Sequence, residues 1–239
     1  MMTELTLPII GYMHSSYKEK FGIPRQPNLV QVESYIEMLA PYNDVLAFEG
    51  IEAFSHLWLV WQFHDNKNPE KTQFRPQVRP PRLGGNKKIG VFATRSMYRP
   101  SPIGLSVVRL KCVKKEGKSV RVYVTGSDLL DGTPIVDIKP YIHYSDAVIN
   151  AESGYAQDEP KRKSVIWSDR AIEQKQQLLM SEKLSVQTAQ ELEAVLSLDP
   201  RPAYQDDEAR VYKMKFAAVD IAFTVGETTV NITDVELET

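Results

Sequence analysis

The sequence predicts a mainly β protein, in which an antiparallel β-barrel N-terminal domain precedes a small α+β C-terminal domain. About seven strand-like segments, separated by turn signals, occupy the first part of the chain, up to about residue 145. Helical segments of ten or more residues do not alternate with these strands, which disfavours a doubly wound parallel sheet. Helix-forming residues with a serine N-cap begin at Ser168, after a polar stretch.

The predicted barrel strands alternate apolar and polar residues or are apolar on both faces. They are residues 5–13, 29–39, 55–64, 89–94, 105–113, 119–126 and 133–142. The sequence KKEGK joins two of them, and its glycine, Gly117, indicates a hairpin turn.

The polar residues 146–165 predict a linker, so we divide the chain into domains 1–150 and 151–239. In the second domain, helix-forming residues run from Ser168 to Leu198 and fit one or two helices. Residues 211–237 alternate around a Gly-Glu turn, which indicates a hairpin. The second domain is therefore predicted to be α+β.

Composition restricts the class of protein. One cysteine excludes a disulfide framework and indicates a reducing compartment. No secretory signal is visible, and the apolar run 57–63 is too short to cross a bilayer. We therefore expect a cytoplasmic protein without a membrane contact.

Several common sites have no signature in this sequence. The chain lacks both the Rossmann glycine fingerprint and a P-loop. Its four histidines lack metal-ligand spacing, and a single cysteine cannot build a zinc site. We expect no metal.

The formal net charge of −2 hides a strongly basic segment. Residues 71–121 contain 14 Lys or Arg and one acid, Glu116, which is typical of a polyanion-binding surface. The lysines of its hairpin are expected to be simply solvated. Its arginines that lie beside proline or glycine are better suited to binding phosphates or carboxylates, because their backbone is restricted; they are Arg75, Arg79, Arg82, Arg95 and Arg99.

Three motifs are candidates for a site, and each has a structural alternative. PRQP, residues 24–27, is either a stiff loop or a binding loop that presents Arg25 and Gln26. RPSPIG, residues 99–104, follows Arg95. The segment SDLLDGTPIVDIKPY contains Asp131 in an Asp-Gly turn, and Asp128 and Asp137 beside it; turn formation or pairing with an arginine or a backbone amide would explain these acids equally well.

The motifs PRQP, RPPRLGGN, GVFATRS, RPSPIG, DLLDGTPIVDIKPY and DPRPAY together resemble the TsaA-like family of tRNA methyltransferases, also called the TrmO (formerly YaeB) family. The resemblance spans both domains and implies a β-barrel followed by an α+β domain. It also implies a homodimer that uses S-adenosyl-L-methionine to methylate the exocyclic N(6) of threonylcarbamoyladenosine, the base beside the anticodon in certain tRNAs.

The resemblance carries cofactor-binding roles to particular positions. They are Arg25, Gln26, Pro27, His64, Asp65, Arg95, Leu105, Asp131, Gly132, Thr133 and Pro134. The family commonly has asparagine where this chain has Ser101. Because the acceptor nitrogen is delocalised and therefore a poor nucleophile, a general base is expected, with Asp131 as the first candidate.

The tRNA is expected to bind Arg75, Arg79, Arg82 and Arg99. The acidic second domain is expected to do no chemistry, and Arg201 and Tyr204 of its DPRPAY motif would position tRNA or support the dimer; the alternative is a turn that stabilises the fold. A domain ending near Lys163 would then still bind the cofactor. Two other functions remain open: a non-catalytic RNA- or ligand-binding barrel, and a hydrolase or other small-molecule enzyme.

Overall fold

A computed structural model describes residues 5–65, 75–202, 205 and 207–238. Its strands, in chain order, are β1 (Gly11–His14), β2 (Glu33–Met38), β3 (His56–Gln62), β4 (Gln77–Val78), β5 (Ile89–Gly90), β6 (Ile103–Glu116), β7 (Ser119–Thr125), β8 (Pro134–Pro140), β9 (Ser164–Trp167), β10 (Tyr212–Phe216), β11 (Val219–Val225) and β12 (Thr229–Leu237). The α-helices are α1 (His143–Asp146, a single turn), α2 (Asp169–Met180) and α3 (Val186–Leu196).

Six strands form a closed barrel in the order β1-β2-β7-β6-β3-β8. Every pairing in it is antiparallel, as predicted. Alternate residues point inward, so that Ile36, Leu59 and Val122 are fully buried in the barrel core. Their removal from water stabilises the barrel, by about 1.5–3 kcal/mol for each large apolar side chain.

The second sheet has the order β10-β11-β12-β9, in which β9 is parallel to β12. Helix α2 packs against this sheet, and α3 contributes Leu192 and Leu196 to the same core. Ser168 and Ser185 cap the two helices by accepting hydrogen bonds from Ala171 N and Thr188 N. The predicted fold class, an antiparallel barrel with an α+β addition, is confirmed.

Two details of the prediction are wrong. Residues 89–94 do not form a barrel strand: β5 is two residues long, pairs with β4 outside the barrel, and leads into a 3-10 turn at Val91–Ala93. Alternation fails there because Val91 is buried while Phe92 and Ala93 are both exposed. Strand β9 lies at the end of the segment predicted to be linker.

The loop between β1 and β2 packs against the second core rather than the barrel core. Tyr17, Val30 and Val32 are buried in one cluster with Leu192 and Phe216. The proposed division at residue 150 separates the two sheets, but the packing crosses it. A fragment ending near residue 163 would expose these side chains, so it is a poor test of what the barrel binds.

Candidate active site

The segments predicted to bind the cofactor meet at one end of the barrel. The antiparallel register places the ends of β1, β3 and β7 beside the starts of β8, β6 and β2: Tyr12 pairs with Pro134, Gln62 with Ile103, and Thr125 with Glu33. The PRQP loop precedes β2, residues 64–65 follow β3, and the DGTP turn ends at β8. The strand order therefore gathers residues that are distant in sequence.

The PRQP loop is fixed to the barrel by the residue that follows it. Asn28 has a positive φ of 64°, its backbone N donates to Gly126 O at 2.8 Å, and its Nδ2 donates to Val107 O at 2.9 Å. Asparagine tolerates this left-handed conformation better than most residues do. The loop can then hold Gln26 towards Arg95, whose Nη1 donates to Gln26 Oε1.

A cleft of about 1270 Å³ opens beside this contact, between the barrel end, the segment 75–98 and residues 153–160. It is larger than a typical drug-sized site, which has about 300–1000 Å³. Six cationic side chains line it: Arg25, Arg75, Arg79, Arg82, Lys88 and Arg95. Two acids, Asp158 and Glu159, also line it. The lining of the cleft is therefore predominantly basic and suited to an anionic ligand.

The predicted RNA-binding arginines divide into two groups. Arg75, Arg79 and Arg82 are exposed in the cleft, and Arg82 Nη2 also donates to Asp158 O. Arg99 is not among the residues that line the cleft, and its Nη1 donates to Thr94 O at 2.9 Å. This hydrogen bond stabilises the loop that contains Arg99.

Asp131 and Asp65, two predicted cofactor residues, already have cationic partners. Asp131 accepts from Ser15 N at 2.9 Å and pairs with Lys18 Nζ at 2.9 Å. Asp65 pairs with Lys20 Nζ at 3.3 Å. Both carboxylates thus hold the start of the β1–β2 loop on the barrel end, and the catalytic role predicted for Asp131 gains no support from its contacts.

Hydrogen bonds fix the conformation of the other residues of the DGTP turn. Gly132 has a φ of 77°, and its N donates to Met13 O at 2.8 Å. Thr133 is buried, and its Oγ1 donates to Leu130 O at 2.6 Å. Only glycine adopts such a φ without strain. The turn shapes the barrel end, while the cofactor roles of Gly132, Thr133 and Pro134 stay a prediction.

His64 and Leu105 lie outside the lining of the large cleft. His64 is exposed, and its pKa is lowered by partial burial and by Lys20, against the opposing effect of Asp65. Leu105 is 52% exposed and lies between the inward-facing Gly104 and Ser106, so its side chain points away from the barrel interior. Their cofactor roles also stay predictions.

Asp128, to which the motifs assigned no role, lies at the same end of the barrel but is not among the residues that line the cleft. Ser106 Oγ donates to Asp128 Oδ1 at 2.6 Å and accepts from Trp61 Nε1 at 3.0 Å. The indole fits because residue 104 is glycine: a Cβ there would lie 2.2 Å from Trp61 Cε2. Burial raises the pKa of Asp128 to about 6, against the lowering effects of the Ser106 hydrogen bond and the charge of Arg95. The sequence alone only partly distinguishes Asp128, because an acidic residue between small and apolar residues is also typical of a turn.

The C-terminal region touches the candidate site through Arg25, whose Nη2 donates to Arg201 O at 3.2 Å. Arg201 itself is 7% exposed and forms two hydrogen bonds of 2.9 Å with the Asp199 carboxylate. Because its guanidinium is buried and paired, these contacts favour the alternative, a turn that stabilises the fold, over a role of Arg201 in positioning tRNA or supporting a dimer. Tyr204 lies outside the described residues.

Two further classes of site are not seen. In the ranges that the structure describes, no group of three or more His, Cys, Asp or Glu is arranged to hold a metal ion. Nor is any helix in these ranges long and apolar enough to cross a membrane.

Fold and site together define a β-barrel protein with a basic cleft at one barrel end and an α+β region that contacts it. Residues 12–147 match the tRNA-methyltransferase O N-terminal domain, and residues 160–238 match the TrmO C-terminal domain. The chain belongs to the tRNA-methyltransferase O (TrmO) family.

Individual relatives agree with this placement. The chain is 45% identical over 208 residues to the tRNA (adenine(37)-N6)-methyltransferase of Escherichia coli, covering 87% of this chain and 86% of the relative. It is 44% identical to a putative S-adenosylmethionine-dependent methyltransferase, RcsF, of Pseudomonas aeruginosa, with 92% of each chain covered. A crystal structure of TrmO from P. aeruginosa is similar over 100% of this chain and 99% of its own, with a TM-score of 0.78 and 36% identity.

Proposed function

We propose that this protein is an S-adenosyl-L-methionine-dependent methyltransferase that methylates the exocyclic N(6) of threonylcarbamoyladenosine beside the anticodon in tRNA. The names of the relatives support the reaction, the cofactor and an adenine at position 37 of tRNA. The threonylcarbamoyl group rests on the motif resemblance. The observation that carries the proposal is the contact between Arg95 and Gln26 in the lining of the basic cleft.

The positive charges of two arginines at the barrel end are complementary to the carboxylate of this cofactor. Arg25 and Arg95 are exposed guanidinium groups in the cleft, and each can donate to the cofactor's carboxylate besides the one contact that it already makes. The bound cofactor would supply an electrophilic methyl group.

The protein's own contribution is binding, orientation and control of one proton. The fixed PRQP loop and the DGTP turn limit the motion of both reactants, and such positioning can lower a barrier by several kcal/mol. The acceptor nitrogen is conjugated with adenine and with the carbonyl of its substituent, so a proton acceptor near its N–H should help. The base must be unstacked to reach the site, which an anticodon loop permits.

Arg75, Arg79 and Arg82 are proposed to bind phosphates of the tRNA. All three are exposed and line the same cleft as Arg95 and Gln26. Arginine forks match the geometry of phosphate oxygens, and the backbone of a tRNA loop supplies several such groups. The width of the cleft supports a ligand larger than the cofactor alone.

A homodimer and a cytoplasmic location are also part of the proposal. Both rest on the resemblance, and the tRNA substrate supports the location. Three exposed apolar side chains, Tyr144 (90%), Val148 (72%) and Ile149 (91%), would favour association with a second copy. Light scattering of the purified protein would test the dimer.

The proposed activity is tested by incubating the protein with labelled S-adenosyl-L-methionine and tRNA from cells that lack this gene. Nucleoside mass spectrometry should find a methylated threonylcarbamoyladenosine. Binding of tRNA or cofactor without transfer would instead support the non-catalytic barrel. If neither ligand binds, a hydrolase or other small-molecule enzyme becomes the better hypothesis.

A further inference from the structure

Asp128 occupies a distinctive position at the barrel end. It lies three residues after the end of β7, on the segment that connects this strand to the DGTP turn, and it is partly buried. It is not among the residues that line the large cleft. Arg95, which lines the cleft and contacts Gln26 of the PRQP loop, lowers the pKa of this carboxyl through its charge.

A chain of two hydrogen bonds orients the Asp128 carboxylate. The Trp61 indole donates to Ser106 Oγ, and the Ser106 hydroxyl donates in turn to Asp128 Oδ1, at 3.0 and 2.6 Å. Trp61 and Ser106 are 8% and 1% exposed, so this support is anchored in the barrel core. Because the Ser106 hydroxyl hydrogen is used for Asp128, the carboxylate accepts and does not need to donate.

The other carboxylates at this barrel end are held differently. Asp131 and Asp65 each form an ion pair with a lysine. Within the parts of the chain that the structure describes, Asp128 has no ion pair with Lys, Arg or His. A carboxylate without an ion pair keeps a higher affinity for a proton than one that a lysine neutralises.

We propose that the Asp128 carboxylate accepts the proton of the N–H group that becomes methylated, and that Ser106 positions it; this rests on the proposed function. The nitrogen forms its bond to the methyl carbon while the carbon–sulfur bond breaks. The N–H proton passes to the carboxylate of Asp128. The products are the methylated nucleoside, S-adenosylhomocysteine and a protonated Asp128, which returns its proton to water.

The electrostatic surroundings suit this role at neutral pH. Burial raises the pKa of Asp128 to about 6, while Ser106 and Arg95 limit the increase. The buried phenol of Tyr17 also interacts with it, and its own pKa is raised by burial and by Asp128. A carboxylate with this pKa is mostly ionised at pH 7 and is a stronger base than an ordinary aspartate.

The first test compares wild-type protein with Asp128→Asn in single-turnover methyl transfer to tRNA at saturating cofactor. The rate should fall by about a hundredfold to ten-thousandfold, the usual contribution of a general base. Calorimetry should find similar affinities of both proteins for S-adenosyl-L-methionine and for S-adenosylhomocysteine. Asp137→Asn is the matched control, because the Asp137 side chain is 47% exposed and pairs with Lys139; its rate should be that of the wild type.

The second test combines a titration of the ligand-free protein with the pH dependence of the single-turnover rate. Carbon-detected NMR should find the Asp128 carboxyl titrating near pH 6, and Ser106→Ala should move this titration to higher pH by removing a hydrogen bond that favours the charged form. The acid limb of the single-turnover rate should move with it. A purely structural Ser106 would change the folding stability without moving either titration.

Three results would overturn the inference. Asp128→Asn could transfer methyl groups at the wild-type rate, or it could lose affinity for the cationic S-adenosyl-L-methionine alone and recover its rate at saturation, or Ser106→Ala could leave both titrations in place. If the wild-type protein itself does not methylate tRNA, the proposed function fails and the inference fails with it. If the wild-type protein and Asp128→Asn both methylate tRNA at the same rate, the inference about Asp128 fails and the proposed function stands.

Discussion

Ser106 Oγ and Asp128 Oδ1 lie 2.6 Å apart at the end of the barrel where the motifs predicted to bind the cofactor meet. The two residues come from neighbouring strands of the barrel, one at the start of β6 and the other just after the end of β7. Burial raises the pKa of this carboxyl, and the contact with Ser106 limits the increase.

Asp128→Asn should stabilise the protein at pH 8. The pKa of this carboxyl is about 6 in the folded protein, against an ordinary value of 3.8. Below the unfolded pKa the carboxyl is protonated in both states, so Asp128 does not destabilise the fold. As the pH rises towards the folded pKa, the ionised carboxylate increasingly destabilises the folded state, and the effect is complete above that pKa. Removing the charge should add about 1–3 kcal/mol to the free energy of unfolding at pH 8.

Urea denaturation at pH 8 and below pH 4 would measure this effect, with Asp137→Asn as the exposed control. The increase in the free energy of unfolding should disappear below pH 4. A variant less stable than wild type at pH 8 would show that the charged carboxylate is stabilised in the fold, contrary to the raised pKa.

Arg95→Ala should weaken the binding of S-adenosyl-L-methionine. The variant loses a guanidinium that faces the cleft and holds Gln26. The expected loss is about 1.5–3 kcal/mol, the usual contribution of a hydrogen bond to a charged group. Isothermal titration calorimetry would measure it, with Arg109→Ala as a control at an exposed position of β6. Unchanged affinity in a folded variant would remove Arg95 from the cofactor site.

The affinity for tRNA should fall steeply as salt is added. Each phosphate contact contributes about one unit to the slope of log affinity against log salt concentration. Arg79→Ala and Arg82→Ala should each reduce the slope by about one, whereas Lys118→Ala should not, because the β6–β7 turn lies at the opposite end of the barrel. Filter binding between low and moderate salt would measure the slopes. Equal slopes in all four proteins would contradict the assignment of the cleft to phosphates.

Arg201→Ala should destabilise the fold. The variant leaves Asp199, which is 23% exposed, with Lys163 at 3.4 Å as its remaining ion-pair partner. Breaking a largely buried ion pair typically costs about 3–5 kcal/mol; Lys163 should reduce this to about 2–4 kcal/mol. Thermal unfolding would measure the loss. Arg162→Ala, at an exposed neighbouring arginine, is the control. An unchanged melting temperature would show that the buried pair does not stabilise the second domain.

Much of the barrel was predictable because alternation and turn residues act locally. The KKEGK hairpin formed as expected, with Gly117 at a φ of 63°. Ser168 caps a helix as its sequence position indicates. Residues 89–94 misled the prediction because their apolar run is not buried as a strand: Val91 is buried, whereas Phe92 and Ala93 are exposed, and β5 pairs with β4 outside the barrel.

The candidate site was predictable only in part. Motif resemblance identified segments that the strand order does bring to one barrel end. The contacts of Asp128 and the burial of Arg201 depend on Ser106 and Asp199 in their folded positions. Such tertiary effects decide whether a charged side chain is a reactive group, a phosphate contact or a structural ion pair.

The most direct measurement is methyl transfer from labelled S-adenosyl-L-methionine to tRNA that carries unmethylated threonylcarbamoyladenosine, followed by nucleoside mass spectrometry. The proposed function predicts that the label appears on N(6) of that nucleoside with wild-type protein. It should be strongly reduced with Arg95→Ala. If wild-type protein binds both ligands and the tRNA remains unlabelled, the protein is not the methyltransferase that we propose.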